Sequence, residues 1–524
     1  MARSGSAFRF ATLGLVAVAA CEYDTRVSPE PAAARAPEFA ARAANRDGPG
    51  ANGRHIVTFR GQMPADFNAQ VAKMGGKVLW ASPGSGLAAV RGLSGSAAAG
   101  FVGKPGIEAV DADEVLTLDL PRLSGLSEAP ADAVSSQAAP ATAFFFRLQW
   151  NMRAVGADLA WATGHLGSSN VSVFILDSGI DYLNIDLNGL VDESRSVDLL
   201  GTFDTQVVIN GDTVIVPFTE SDTVAKYFPT RKPFTDLFFH GTHVAATVSS
   251  LARGAAGVTS RTTLVAVKVC GYINECPFSS ILDGVIHAAD HGADVMNLSL
   301  GGSFPKKGNR ALIRLINRVF DYARRQGVTI VVSAGNAATD LDHNGNTYES
   351  FCDTPAVICV SATGPTTDAT GLTSETGPWT DIDAPAYYTN FGRKAIDVAA
   401  PGGNSSFGPD LLFPASRDVF VWAACSRTSL VVRNAAGVPV CTLGNLFIGA
   451  QGTSMAAPHV TGTAALLVPL IGRSPAQIKA RLEESADPIG GRRLAAFYGN
   501  GRLNVARAVG AISQQQQEGQ RSAR

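Results

Sequence analysis

The sequence predicts an α/β protein with a doubly wound, mostly parallel sheet and helices on both faces, preceded by a small α+β unit. Two observations support this prediction. Apolar strand-like runs alternate with helical segments along most of the chain, which is typical of a parallel sheet covered on both faces. The chain has 524 residues, of which 46% are hydrophobic and 17% charged, as expected of a protein with a large buried core.

The first residues have the composition of an export signal. Arg3 and Arg9 flank the start of an apolar stretch too short to cross a bilayer, so residues 1–20 are interpreted as a signal peptide. Residues 18–21 resemble a bacterial lipobox, which implies a lipid anchor on Cys21 as the chain's sole attachment to a membrane. The alternative is an ordinary cleaved signal with an incidental cysteine. Residues 21–54 are rich in Ala, Pro, Arg and Gly and are predicted to be a disordered linker.

The next segment, residues 55–118, is predicted to form the small α+β unit. Its pattern favours strands at 56–59, 76–80 and 87–90, a helix at 65–74 and a strand-like end at 107–118. Residues 119–149 are rich in Ala, Ser and Pro. We expect them to form a second linker that contains a site of maturation cleavage.

The large unit is expected to span residues 150–512 and to be followed by a disordered, glutamine-rich tail at 513–524. Its apolar runs alternate in the order that predicts the parallel sheet. The predicted strands are 171–176, 263–269, 295–300, 328–333 and 357–362, and the predicted helices follow His240 and span 279–291, 310–326 and 454–467.

Two insertions interrupt this alternation. Residues 207–216 are apolar on both sides of Asn210-Gly211, a pair that favours a tight hairpin turn. We expect this hairpin near the rim of a cleft, since it lies between two of the motifs described below. Residues 403–446 form a second excursion.

Six cysteines remain when Cys21 is set aside, an even number that suggests disulfides in an exported protein. Neighbours in sequence favour the pairs Cys270/Cys276, Cys352/Cys359 and Cys425/Cys441. Six cysteines allow 15 connectivities, and reduced cysteines packed as small apolar side chains are the alternative.

Three polar residues stand where catalysis could occur. Ser454 lies among small residues at the predicted start of a buried helix, Asp177 ends an apolar strand, and His240 opens another helix. A serine hydroxyl is a weak nucleophile unless a base removes its proton and a third group orients that base. The residue types therefore fit nucleophilic catalysis, with Ser454 as the nucleophile.

The motifs Asp177-Ser178-Gly179, His240-Gly241-Thr242-His243 and Gly452-Thr453-Ser454-Met455-Ala456 resemble those of the subtilase family of serine proteases. Their order is Asp, His, Ser, whereas an α/β-hydrolase runs Ser, Asp, His and has a G-x-S-x-G elbow. Ala456 replaces the second glycine of that elbow here. Two positions depart from the family pattern, Ser178 for a common threonine and Ala246 for a usual glycine, and both are small enough to leave the chemistry intact.

The resemblance implies a subtilisin-like fold and assigns roles. His240 acts as general base and then general acid, Asp177 fixes its tautomer, and Asn336 with the Ser454 backbone N–H stabilises the oxyanion. An ordinary turn asparagine is the alternative for Asn336. The small α+β unit resembles the inhibitory propeptide that precedes many subtilases, so it is expected to act as an intramolecular inhibitor.

Substrate contacts are expected after two strands. Glycines after the strand at 295–300 would let an extended peptide approach closely, and the alternative is a buried strand that ends in a glycine turn. The loops at 299–303 and 332–336 are expected to form the specificity pocket. The candidate substrate-binding residues are Ser299, Leu300, Gly301, Gly302, Ser333, Ala334 and Gly335.

Asp340, Asp342 and Asn344 place oxygen ligands at alternate positions, as calcium loops do. Phe351 stands where such a loop has a bidentate glutamate, so a plain polar turn is the alternative to structural Ca²⁺. No cofactor is required for the chemistry itself.

Two further polar residues are interpreted as structural. His243 lies one helical turn after His240, and the alternative is that His243 serves as the catalytic base. Asp181 follows a turn and is expected to be a solvated or loop-fixing carboxylate.

The sequence as a whole favours a secreted or lipid-anchored serine endopeptidase that hydrolyses polypeptides. A catalytically inactive subtilase fold that serves as a surface binding protein is the alternative, and a serine esterase is a third hypothesis. The net charge of -2, without blocks of Lys or Arg, argues against a nucleic-acid partner.

Overall fold

A computed structural model of the chain describes residues 53–117, 122–209, 212–273, 275–366, 381–404, 419–432 and 440–512. The predicted signal peptide, Cys21, nearly all of the first linker, the Asn210-Gly211 turn and the C-terminal tail lie outside these residues.

The strands of the described residues are, in chain order, β1 (Arg54–Phe59), β2 (Lys77–Ser82), β3 (Leu87–Arg91), β4 (Ile107–Ala112), β5 (Val115–Thr117), β6 (Arg122–Glu128), β7 (Ser172–Asp177), β8 (Val197–Asp198), β9 (Thr202–Ile209), β10 (Asp212–Thr219), β11 (Thr263–Lys268), β12 (Glu275–Pro277), β13 (Val295–Leu298), β14 (Gly302–Pro305), β15 (Thr329–Ser333), β16 (Thr347–Ser350), β17 (Val357–Thr363), β18 (Val398–Pro401), β19 (Val421–Ala424) and β20 (Leu446–Gln451).

The α-helices of the same residues are α1 (Phe67–Lys73), α2 (Gly95–Phe101), α3 (Trp150–Ala154), α4 (Ala157–Ala162), α5 (Glu220–Tyr227), α6 (His240–Val248), α7 (Phe278–Asp290), α8 (Arg310–Arg325), α9 (Thr453–Ile471), α10 (Pro475–Ser485), α11 (Gly491–Tyr498) and α12 (Val505–Ala508).

A seven-stranded sheet in the order β18-β17-β15-β13-β7-β11-β8 forms the centre of the large unit. Every neighbouring pair in it is parallel. Alternate residues of β7 face opposite ways: Val173 and Ile175 pack in the cluster that contains α6 and α9, and Phe174 and Leu176 pack in the cluster that contains α7 and α8. The predicted fold class is therefore confirmed.

The chain reverses its direction across the sheet at β7. After β11 on one side of β7, the chain passes through α7 to β13 on the other side. In such sheets the crevice for ligands lies beyond the carboxyl ends of the strands at the reversal. β7 ends at Asp177 and β13 ends one residue before Ser299, so both residues lie at this crevice.

Residues 54–117, here called the N-terminal unit, contain a four-stranded antiparallel sheet in the order β2-β3-β1-β4. One face of this sheet packs on α1 and α2, with Val57 and Phe59 at the centre. The opposite face contributes Ile56 and Leu87 to the cluster that contains α7 and α8. The pattern analysis did not predict α2, because Gly95 and Gly100 weaken its helical signal.

The predicted linker at 119–149 is not a linker over most of its length. Residues 122–128 form β6, which pairs antiparallel with β20, and Phe145 and Leu148 are buried in the core of the large unit. The Ala-, Ser- and Pro-rich composition hid this strand, because its hydrogen-bond partner lies more than 300 residues further along the chain.

The predicted hairpin is confirmed, since β9 and β10 pair antiparallel. Thr202 lies opposite Thr219 at the open end, and Ile209 lies opposite Asp212 next to the turn. The three predicted disulfides, Cys270–Cys276, Cys352–Cys359 and Cys425–Cys441, are also present. Cross-links of this kind fit an extracellular protein.

The predicted buried helix is α9, which contacts six strands of the described residues and helix α6. It is the one helix of the described residues that is long and apolar enough to cross a bilayer, and 78% of its apolar window is buried inside the protein. Its apolar sequence is explained by this central position in the core. The helix carries Ser454 in its first turn.

Candidate active site

Asp177 and His240 form a buried pair at the end of β7 and the start of α6. The Nδ1–H of His240 donates to both carboxylate oxygens of Asp177, at 2.8 and 3.0 Å, and both side chains are fully buried. A carboxylate can only accept here, so the proton lies on Nδ1 and the Nε2 lone pair is left to act as a base.

Glycines allow the strand end and the helix start to approach this closely. A Cβ on Gly241 would lie 2.2 Å from the carbonyl oxygen of Gly179 and 3.1 Å from Cβ of Asp177. Gly179 has a φ of 105° and leaves no room for a side chain beside the carbonyl of Phe234. The two motifs therefore need glycine at these positions to bring Asp177 and His240 together.

Asp236 holds the backbone around His240. Its Oδ1 accepts hydrogen bonds from the N–H groups of Phe238 and Phe239 and from the hydroxyl of Ser178. Its Oδ2 accepts from the N–H and the hydroxyl of Thr242. Burial raises the pKa of Asp236 to about 6, against the opposing effect of these donors. This carboxylate thus ties α6 to the residue that follows Asp177.

Ser454 lies in the first turn of α9 and is held by Ser299. Its hydroxyl donates to the carbonyl oxygen of Ser299 at 3.1 Å, and the hydroxyl of Ser299 donates to the carbonyl oxygen of Ser454 at 2.8 Å. Ser454 is 7% exposed, whereas Ser299 is fully buried. The first-turn position also presents backbone N–H groups that have no intrahelical acceptor.

Asn336 follows β15 and is oriented by Thr453. Its Oδ1 accepts from both the N–H and the hydroxyl of Thr453, each at 2.9 Å. The oxygen and nitrogen of an amide lie on opposite branches, so fixing Oδ1 also fixes the direction of the Nδ2 donor. The structure thus brings Asn336 next to the residue that precedes Ser454.

The segment that carries Asn336 is braced by Asn390. The Nδ2 of Asn390 donates to the carbonyl oxygen of Ala334 at 2.8 Å, and its Oδ1 accepts from the N–H groups of Ala337 and Thr339. Gly335 has a φ of 98°, and a Cβ there would lie 2.5 Å from Nδ2 of Asn390. Among the predicted substrate-binding residues of this segment, Ser333 and Ala334 are buried.

The predicted residues after β13 have structural contacts. Leu300 is 3% exposed and packs in the core cluster of α7 and α8. Gly302 pairs with Ser350 in the two-stranded β14–β16 ribbon, and a Cβ on Gly301 would lie 2.3 Å from the carbonyl oxygen of Ser350. The close backbone approach that these glycines permit is therefore made by β16, and substrate binding here stays a prediction.

Each of the three predicted calcium ligands accepts hydrogen bonds from the protein. Asp340 caps the N–H of Asp342 and accepts from Nδ1 of His343, while the Asp342 carboxylate accepts from the N–H groups of Lys394 and Ala395. The Oδ1 of Asn344 accepts from Lys306 at 3.4 Å. Within the residues that the structure describes, no group of three His, Cys, Asp or Glu side chains is arranged to hold a metal. Calcium binding by Asp340, Asp342 and Asn344 stays a prediction.

The other two polar residues have structural contacts. His243 is fully buried, its Nε2 donates to the carbonyl oxygen of Val421 at 3.0 Å, and burial lowers its pKa to about 3. Asp181 is also fully buried, between Arg231 at 2.5 Å and the backbone N–H of Arg427 at 2.9 Å. It is a loop-fixing carboxylate, and the expectation that it might instead be solvated is wrong.

Comparison with known families agrees with this geometry. The peptidase S8 model, described as the subtilase family, matches residues 168–501, well over half of the chain. The chain belongs to the subtilase family. Thermitase from Thermoactinomyces vulgaris is 30% identical over 273 residues, which cover 52% of this chain and 74% of that protein. A thermophilic serine proteinase from Bacillus sp. strain AK1 is 28% identical over 71% of this chain and 69% of its own length.

Solved subtilase structures share the fold. The epidermin leader peptide processing serine protease from Staphylococcus aureus has a TM-score of 0.61 at 18% identity and covers 88% of this chain and 99% of its own. Fervidolysin from Fervidobacterium pennivorans has a TM-score of 0.58 at 21% identity, over 88% of this chain and 62% of its own. Family membership supports serine endopeptidase activity in general.

Three residues that orient the site were missed by the sequence analysis: Asp236, Thr453 and Asn390. Asp236 stands four residues before His240, and Thr453 lies within the serine motif without a role assigned to it, so an N-terminal cap and a first-turn hydroxyl were visible signals. Asn390 lies more than 50 residues from Asn336, and no local pattern marks it.

A prediction concerns the two buried histidines near α9. The Nδ1–H of His459 donates to the carbonyl oxygen of Met455, and its Nε2 accepts from Nδ2 of Asn151 at 2.9 Å. Burial lowers the pKa of His459 to about 4 and that of His243 to about 3, both below the ordinary 6.5. Their stabilising contribution is therefore complete above pH 6.5. It should fall by up to about 1.4 kcal/mol per pH unit for each histidine as the pH drops from 6.5 to about 4 for His459 and to about 3 for His243, and it should level off below those values.

Urea unfolding of the Ser454→Ala protein across this pH range would measure that slope without self-digestion. His459→Gln should reduce the slope, and His343→Gln should leave it unchanged because His343 is exposed. A slope that stays the same in His459→Gln would contradict the assignment.

Proposed function

We propose that the chain is an exported serine endopeptidase that uses Asp177, His240 and Ser454 as its catalytic triad. The observation that carries the proposal is the buried hydrogen-bonded pair of Asp177 and His240, which fixes the imidazole with Nε2 as the base. Full retention of all three residue types argues against an inactive binding protein. The Asp, His, Ser order argues against an esterase of the α/β-hydrolase type.

In the proposed reaction, Ser454 turns its hydroxyl from the Ser299 carbonyl toward His240 when a polypeptide binds. His240 takes the proton at Nε2 as the serine oxygen attacks the scissile carbonyl, and Asp177 stabilises the resulting imidazolium. The oxyanion is held by Nδ2 of Asn336 and the Ser454 N–H. His240 then protonates the leaving amine, and water hydrolyses the acyl-enzyme in the reverse sequence.

We also propose that the N-terminal unit inhibits this site until it is cleaved. β5 pairs antiparallel with the edge strand β12, with Leu116 opposite Cys276. The Asp113 carboxylate caps the first turn of α7 through the N–H of Ser279 at 2.7 Å. β5 thus occupies an edge of the large unit, which is called the catalytic unit from here on. A substrate strand that pairs with the same edge would be excluded while β5 is bound.

The strand pairings on each side of the junction between the N-terminal unit and β6 support a cleavage site within a few residues. Thr117 lies opposite Glu275, and Arg122 lies opposite Gln451, three residues before Ser454. The pairing of Arg122 with Gln451 lies near the proposed nucleophile, so we infer that the scissile bond lies between Thr117 and Arg122. β6 would then remain with β20 in the mature enzyme.

Export and membrane attachment belong to the same proposal. The three disulfides support an oxidising compartment. A lipid anchor at Cys21 is proposed from the lipobox-like sequence alone. Polypeptide contacts by residues 299–302 and 333–335 are likewise proposed from the sequence. Cleavage after Thr117 would release the catalytic unit from such an anchor.

Ser454→Ala should lower kcat for a peptide substrate by about 10⁶-fold, the order known for subtilisin, because the nucleophile is lost. His240→Ala should cost about as much, and the double variant should cost little more, since triad members act as a unit. Peptide turnover and fluorophosphonate labelling measure this. Retained turnover in Ser454→Ala, or losses that simply add, would contradict the triad.

Asn336→Ala should lower kcat by about 10²- to 10³-fold, the scale of the corresponding loss in subtilisin, with little change in KM. The reason is that the oxyanion donor acts mainly in the transition state. Steady-state kinetics on one peptide would separate the two constants. An effect confined to KM would instead make Asn336 a substrate-binding residue.

The purified wild-type chain should process itself at a bond between Thr117 and Arg122, and the Ser454→Ala chain should stay intact. Mass spectrometry of the new N-terminus measures this, with His343→Gln as a control that processes normally. Trimming of purified Ser454→Ala in this region, or a mature N-terminus beyond β6, would refute self-processing at this site.

A further inference from the structure

Arg54 is the first residue of β1, and its side chain extends from the N-terminal unit into the catalytic unit, where it is buried. It is only 2% exposed. Its guanidinium donates to the carbonyl oxygens of Leu200 at 2.5 Å and Thr202 at 2.7 Å, and to the hydroxyls of Ser280 at 3.0 Å and Ser279 at 3.4 Å. Both edges of the planar guanidinium are therefore matched by acceptors, which is the pattern that distinguishes arginine recognition from lysine recognition.

All of these acceptors belong to the catalytic unit, and the N–H and hydroxyl of Ser279 also donate to the Asp113 carboxylate of the N-terminal unit. Leu200 and Thr202 flank the start of β9, where the hydroxyls of Thr202 and Thr219 are 2.9 Å apart. Ser279 and Ser280 lie in the first turn of α7. We call the site formed by these residues the guanidinium pocket. These four acceptors belong to the part of the chain that remains after cleavage.

The surroundings of the pocket are negatively charged. Glu220 and Lys268 form a buried ion pair at 2.5 Å, and Asp198 accepts from the N–H of Leu200 at 3.0 Å. Burial raises the pKa of Asp198, and the positive charges of Lys268 and Arg54 oppose that rise. Without Arg54, two carboxylates would face a single ammonium. The guanidinium of Arg54 thus adds a second positive charge beside this buried cluster.

The pocket also lies next to the edge where the N-terminal unit pairs. β12 ends at Pro277, opposite Val115, and α7 starts at the following residue. The N–H of Phe278 donates to the carbonyl oxygen of Glu114, and the N–H of Asp113 donates to the carbonyl oxygen of Arg54. A peptide that took the place of β5 would have its N-terminal side directed toward the guanidinium pocket.

We propose that the guanidinium pocket is a binding subsite of the mature enzyme for an arginine of the polypeptide substrate. That arginine lies N-terminal to the segment that pairs with β12. Arg54 fills the subsite until the N-terminal unit is cleaved and released. The inference rests on the proposed endopeptidase function and on release of that unit.

The test uses mature enzyme and a series of peptides with one scissile site. A single arginine is moved through the positions N-terminal to the cleaved bond, and each peptide is matched by one with citrulline, which has nearly the same shape and no charge. At the position that reaches the pocket, arginine should raise kcat/KM over citrulline by about tenfold, the value of one charged hydrogen bond. Lysine should give a smaller gain because its ammonium lacks the planar set of N–H donors that a guanidinium presents.

Two pocket variants then assign the gain. Asp198→Asn removes the charge but keeps an acceptor, and Ser280→Ala removes one acceptor; each should reduce the arginine-to-citrulline ratio several-fold. Asp321→Asn, an exposed carboxylate on α8 that pairs with Arg324, is the matched charge control and should keep the ratio. The ratio is taken within each variant, so a change in overall activity does not enter it.

The outcomes separate the two proposals. Cleavage of the peptides with no arginine gain at any position would overturn the subsite and leave the endopeptidase function intact. A gain that persists unchanged in Asp198→Asn and Ser280→Ala would also overturn the pocket assignment, because the arginine would then bind elsewhere. Absence of all peptide cleavage, with no fluorophosphonate labelling of Ser454, would refute the endopeptidase function and this inference with it.

Discussion

The buried carboxylate of Asp236 is the interaction on which the catalytic geometry depends. It accepts from backbone groups on both sides of His240 and from Ser178, so a single side chain sets the position of α6 relative to the end of β7. A buried carboxylate is costly unless donors surround it, and here five donors do so. The same five contacts leave little freedom for the pair of Asp177 and His240 to separate.

The second constraint is the central position of α9. Because this helix packs against one face of the parallel sheet, its first turn brings Thr453 and Ser454 to the loops after β13 and β15. Ser299 and Asn336 then contact adjacent residues of one turn. The proposed oxyanion donor and the proposed nucleophile are thus coupled through the helix backbone, and a shift of α9 would displace both together.

The sequence was sufficient to predict the sheet, the order of the motifs and the cysteine pairs, since these have local signals. Apolar strands, glycines beside Asp177 and His240, and cysteines close in sequence all act over short distances. It was insufficient for contacts between distant segments. Asn390 supports Asn336 across more than 50 residues, Arg54 enters a pocket formed near residues 200 and 280, and β6 is a strand because β20 pairs with it.

The pairing of β6 with β20 has a practical consequence for recombinant production. A shortened chain that began at Trp150, where composition suggests the domain starts, would leave β20 as the exposed border of the β19–β20–β6 sheet. Unpaired backbone groups on such a border recruit strands from other molecules. The yield and solubility of the shortened protein should therefore be lower, even though it retains Asp177, His240 and Ser454. A gene for expression should include Arg122–Glu128.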